Sequence, residues 1–141
     1  MSDTAYVTFS IREKDKEHPA VERFVHEYAD EHYFDDGMLT VCCYELNHAG
    51  AEQASELLAA GIPFVRQNDR GDDYGEGLLV YLGHGEPLAC ATLDREPVTA
   101  IRVLKDGTIL LPSLAEGLKA HAARQEFFHM CKEDDDGNHQ G

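Results

Sequence analysis

The chain is short of positive charge. Twelve Lys and Arg face 27 Asp and Glu, a formal net charge of −15 over 141 residues. A surface of that sign repels nucleic-acid phosphates and anionic membranes, which argues against direct DNA or RNA binding and favours basic partners. Long apolar runs are missing too, and none approaches the ~20 residues that cross a bilayer as a helix. The opening MSDTAYVTFSIREKD has neither the basic stretch nor the apolar core of a secretory signal, so the cytoplasm is the expected address. Cysteine is scarce. Cys42 and Cys43 are adjacent while Cys90 and Cys131 stand alone, too few for a disulfide scaffold, and all four read as thiols.

Signatures of catalysis and metal binding are absent as well. The stretch HEYADEH, His26 to His32, resembles HExxH only at its start: the fifth position is Asp30, and His32 lies six residues on, off the shared face. Glu22, His26 and Asp30 do line up at i, i+4 and i+8, a polar stripe of the kind any acidic helix makes. No CxxC, HxxxH or GxSxG occurs. Cys42 and Cys43 sit mid-strand with no basic neighbour to lower a thiol pKa. The sequence therefore implies no cofactor, and a non-enzymatic role is favoured.

The loop QNDRGDDYGEG, Gln67 to Gly77, invites a calcium or phosphate reading, and neither register fits. Begun at Asp69, a calcium loop has Tyr74 where glycine is needed and Val80 where the bidentate acid belongs. Begun at Asp72, it gains Glu76 and Gly77 but ends on Gly83. A phosphate cradle leads from a strand into a helix, whereas this loop leads into the strand-like run GLLVYL. It reads as a flexible acidic connection between strands.

What is present is hydrophobic period. Ala5, Val7, Phe9 and Ile11 alternate with Tyr6, Thr8 and Ser10, a half-buried strand. Pro19 opens a helix with Val21, Phe24, Val25 and Tyr28 on one face, expected to end between Tyr33 and Gly37. MLTVCCYEL is apolar on both faces and belongs centrally in a sheet. Asn47 is placed to cap a helix ended by Gly61, after which IPFVRQ resumes as a strand. Gly83-His84-Gly85-Glu86 and Asp106-Gly107 mark two hairpins. Ser113 and Glu116 form a capping box for a last helix to about Cys131. The sum is one α+β domain over residues 1–131 with an acidic polar tail at 132–141. Its sheet is mixed or antiparallel, of about six or seven strands with three helices, and its first half admits a ferredoxin-like layer.

The acidity is concentrated. Residues 13–36 hold nine acids and three bases, the Gln67–Gly77 loop contributes −3 and the tail another −3. Such clusters on an ordered body point to a protein-interaction module. In its sharpest form, the module imitates nucleic acid and inhibits a basic DNA- or RNA-processing partner, as small phage or mobile-element proteins do. The residues that would carry docking are Glu22, Glu27, Asp30, Glu31, Asp35 and Asp36, with Asp69, Asp72, Asp73 and Glu76. The competing reading is a small-ligand- or metal-binding domain, an enzyme in one version, with a pocket near Cys42, Cys43, His48 and His84. Self-association through a free sheet edge, with strand one as the candidate, is the third.

Overall fold

The computed structural model describes residues 4–71, 74–99, 101–111 and 114–139. In chain order the elements are β1 (Thr4–Arg12), α1 (Pro19–Tyr28), β2 (Glu31–Asp35), β3 (Met38–Asn47), α2 (Ala51–Ala59) and β4 (Phe64–Asn68). There follow β5 (Gly77–Tyr81), β6 (Leu88–Leu93), β7 (Glu96–Pro97), β8 (Arg102–Val103), β9 (Ile109–Leu110) and α3 (Leu114–His139). Among the described residues seven strands form one sheet in the order β2-β3-β1-β4-β5-β6-β7, with every neighbouring pair antiparallel, while β8 and β9 pair with each other. The fold is α+β, as the periodicities indicate.

β1 lies in the centre of the sheet, between β3 and β4. Both its edges are hydrogen-bonded, so it is not the free edge expected for self-association. The free edge on this side is β2, a strand absent from the sequence reading, which runs α1 on through this region. Pro19 starts α1 at the first helical position, and His18 Nδ1 accepts the Ala20 N–H at 3.1 Å. The helix stops at Tyr28, because the next residues are claimed by β3. Asp30 N–H donates to Cys42 O at 2.9 Å, the Asp30 carboxylate accepts the Tyr44 N–H, and Tyr33 sits opposite Thr40. Asp36 and Gly37, at φ 51° and 75°, close the two-residue turn between β2 and β3. Left-handed backbone at both positions matches the twist of a hairpin, which makes strands of both flanks.

With β2 in place the first half reads β-α-β-β-α-β, and its strands lie in the order β4-β1-β3-β2. That is the split ferredoxin-like arrangement, and β5, β6 and β7 extend it beyond β4. Asn47 makes no side-chain cap to α2; it is the last residue of β3, and His48, Ala49 and Gly50, all left-handed, turn the chain into the helix. Gly61 ends α2 as expected. The Ile62 N–H reaches Leu57 O and the Gly61 N–H reaches Leu58 O, which satisfies carbonyls of the last turn.

Period two in the strands divides the core into two layers. Val7, Phe9, Ile11, Leu39, Val41 and Cys43 face α1 and α2, where the Phe9 ring meets Phe24 edge-on at 5.0 Å. Val65, Leu78 and Val80 face α3, whose Ala120, Ala123, Phe127 and Cys131 form one buried stripe. Arg124 fastens that helix to the β6–β7 hairpin through Arg95 O at 2.8 Å and Glu96 at 3.3 Å. α3 runs on to His139, past the end expected near Cys131, while Ser113 of the expected capping box lies outside the described residues. Among the described residues no helix is long and apolar enough to cross a membrane.

Candidate functional site

The turn from α1 into β2 folds the acid-rich segment back on itself and opens a groove. One wall is a helical stripe, Glu22, Val25, His26 and Ala29, spaced i, i+3, i+4, i+7. The other wall is β2, whose His32 and Phe34 stand opposite Val41 and Leu39 and so point towards the helices. Leu39 supplies the floor, and the volume is about 560 Å³. Three carboxylates, Glu22, Asp30 and Glu31, line it against one ammonium, that of Lys16, which sits 5.6 Å from the centre of the Phe34 ring.

The carboxylates of this region differ in what they already hold. Asp15 pairs with Arg12 at 2.9 Å, and Glu13 lies 3.9 Å from Lys16. Asp30 accepts a backbone N–H from Tyr44. Glu22 and Glu27 on α1, Glu31 and Asp35 on β2, and Asp36 in the turn are exposed and form no ion pair among the described residues. The segment thus presents a rim of uncompensated negative charge around a partly apolar groove. Beside that groove lies a strand with one unpaired backbone edge.

The second acidic segment sits elsewhere. Asp69 follows β4 and donates its N–H to Tyr6 O, so it is three strands away from β2 in the sheet order. Glu76 is turned inward. Its carboxylate accepts the Thr92 hydroxyl at 2.9 Å and the N–H groups of Asp94 and Arg95, two left-handed residues of the β6–β7 turn. Thr92 in turn accepts from Gln67 at 3.0 Å. Glu76 is a structural tie between β5 and β6. Asp72 and Asp73 lie outside the described residues. Of the loop's described acids, Asp69 thus lies three strands from β2 and Glu76 is engaged within the fold.

The residues of the competing pocket are dispersed. Cys43 is buried towards α1 and α2, and burial pushes its thiol up to about 12. Cys42 faces the other side of the sheet, where the Tyr6 hydroxyl bonds to it and is held protonated above its usual range. His84 is exposed in the β5–β6 turn. His48 lines a separate hollow of about 470 Å³ with Arg66, Asn68 and Tyr74. Among the described residues no three His, Cys, Asp or Glu side chains gather as a metal site, the Glu22-His26-Asp30 stripe included. Among the described residues no cysteine is joined in a disulfide.

Sequence reasoning missed the contribution of β2, above all Phe34 and the free edge. The signal was present as an alternating EHYFD before Asp36-Gly37, but the density of acids read as a helix face. Comparison with known proteins adds nothing to this geometry: no family model, no curated protein and no solved structure matches the chain.

Proposed function

We propose that the protein is an interaction module that receives a basic, extended segment of a partner protein along the α1–β2 edge. The observation that carries the proposal is the coincidence, at one sheet edge, of unpaired backbone on β2, an apolar groove floor and carboxylates without counter-ions. A segment added to an exposed edge gains main-chain hydrogen bonds, while alternate side chains enter the neighbouring groove. Lys or Arg in that segment would meet Glu22, Glu31 and Asp35, and an apolar side chain would cover Leu39 and Phe34. Proteins that process nucleic acid carry basic segments for phosphate, and they are the partner class with the matching charge.

The test is affinity capture with the wild type and with the triple variant Glu22→Lys, Glu31→Lys, Asp35→Lys, at low and high salt. Wild type should retain a basic nucleic-acid-binding protein that salt releases. The variant, with an unchanged circular-dichroism spectrum, should lose it by at least tenfold. Equal retention by the folded variant would show that the acids do not dock the partner.

A further inference from the structure

A second surface is unlike the rest of the molecule. Among the described residues twelve large apolar side chains are exposed, and nine of them lie between Leu93 and Leu118. Ile101, Val103 and Ile109 of the β8–β9 hairpin are 67%, 64% and 63% exposed. Monomers seldom leave so much apolar surface on one segment. Among the described residues the hairpin adds no strand to the main sheet. Its strands have two residues each and pair with each other, and an isolated two-stranded hairpin is marginal in water unless further strands or a helix cover it.

Charge indicates what covers it. Residues 93–121 carry four acids, Asp94, Glu96, Asp106 and Glu116, and four bases, Arg95, Arg102, Lys105 and Lys119. The net charge of −15 therefore resides wholly in the rest of the chain. A basic partner is drawn to the acidic edge; a second copy, itself strongly negative, meets least repulsion at this neutral segment. The surface also carries both halves of a self-complementary fit. Flanking the hairpin in sequence on both sides, Pro97 and Val98 face Leu114, Gly117 and Leu118 of α3 across an apolar groove of about 260 Å³.

We infer that this segment is the interface of a two-fold homodimer, in which the β8–β9 hairpin of each copy sits against the groove of the other. An isologous contact requires ridge and groove on the same copy, and residues 93–121 supply both. The nine residues expose an area on the order of 800 Å², about what each partner contributes to a standard interface.

Sedimentation velocity between about 1 and 100 μM, at 50 and 500 mM salt, tests this against the 15.7 kDa monomer. The wild type should show twice that mass, with tighter association at high salt as repulsion between the two copies is screened. The double variant Val103→Asp, Ile109→Asp, and separately Leu118→Asp, should be monomeric throughout. All three positions are exposed, so the far-ultraviolet spectrum of either variant should match wild type. A wild type that stays monomeric at 100 μM in high salt would overturn the inference, and so would binding of that monomer to neutral phosphatidylcholine vesicles. A dimer that survives in both variants, or one abolished by Phe34→Lys on β2 instead, would overturn it too. Loss of partner capture at the acidic edge leaves this mass unchanged, so the two readings fail separately.

Discussion

Replacing Glu76 by Ala separates an acid that holds the fold from an acid that decorates it. The carboxylate accepts three hydrogen bonds, from the Thr92 hydroxyl and from the Asp94 and Arg95 N–H groups. The two turn amides are exposed, so water replaces much of what they lose. Thr92 is only 6% exposed, and its hydroxyl already accepts from Gln67, so its own proton is left without an acceptor. An orphaned buried donor costs roughly 1–3 kcal/mol. Adding the weakened turn, with its two left-handed residues, brings the expected loss to about 2–3 kcal/mol. For a domain of this size that lowers the melting midpoint by roughly 6–12 °C. The assay is urea and thermal unfolding of Glu76→Ala beside Glu27→Ala, an exposed acid on α1 whose removal should stay within about 0.5 kcal/mol. Glu76→Gln, which keeps one acceptor oxygen, should fall between the two. If Glu76→Ala and Glu27→Ala prove equally mild, the tie between β5 and the β6–β7 turn does not contribute as argued.

Two further outcomes can be checked in the same unfolding assays. At Gly50, with φ 76°, a Cβ would stand 3.1 Å from Phe9 Cζ and 3.3 Å from Leu46 Cδ1. Gly50→Ala should therefore cost about 2 kcal/mol or more, a left-handed Ala alone costing roughly 1–2; a neutral substitution would contradict the close approach of α2's leading turn to β1. Burial raises the Cys43 thiol from 9.0 to about 12, and the bond to Glu56 raises the Tyr28 hydroxyl from 10.0 to about 12. The folded chain thus holds protons that the unfolded chain has released, so stability is complete below about pH 9 and declines between pH 9 and 12. The urea midpoint should be lower at pH 10.5 than at pH 7.5, with a smaller drop in Cys43→Ala; an unchanged midpoint would refute the sign.

Elements with a clean period were legible from the residues alone. β1, the start of α1, β3, α2 with its Gly61 stop and the β5–β6 hairpin follow from alternation, helical spacing, an apolar run or turn glycines, and with them the α+β class. What escaped depends on partners distant in sequence. Glu31–Asp35 is a strand because β3 pairs with it, and the acids that run on from α1 mask the Asp36-Gly37 turn signal that announces the pairing. β1, the candidate for a free edge, is central, because which strands flank it is not written in its own alternation; its Tyr6, Thr8 and Ser10 are half-buried. Glu76 looked like surface charge because Asp94 and Arg95, whose N–H groups it binds, come two strands later, after β5 and β6. In VTAIRVL and TILL the apolar pattern announces strands, yet it does not say that Ile101, Val103, Ile109 and Leu110 stay exposed.

The two proposed surfaces lie at opposite ends of the sheet. β2 is the first strand in its order and β7 the last, with the β8–β9 hairpin reached directly from β7. A dimer joined through the hairpins therefore keeps its two acidic edges apart and directed away from the contact, which minimises repulsion between them. Such a dimer is bivalent, and a partner carrying two basic segments would bind the second edge intramolecularly, at an effective concentration that a monomer cannot offer. Salt acts with opposite sign on the two steps, loosening the acidic edge and tightening the neutral interface. Capture should then be strongest at an intermediate ionic strength, where the chain is already dimeric and its carboxylates are not yet screened. A monomeric module has no such maximum: its capture falls steadily from the lowest salt upward.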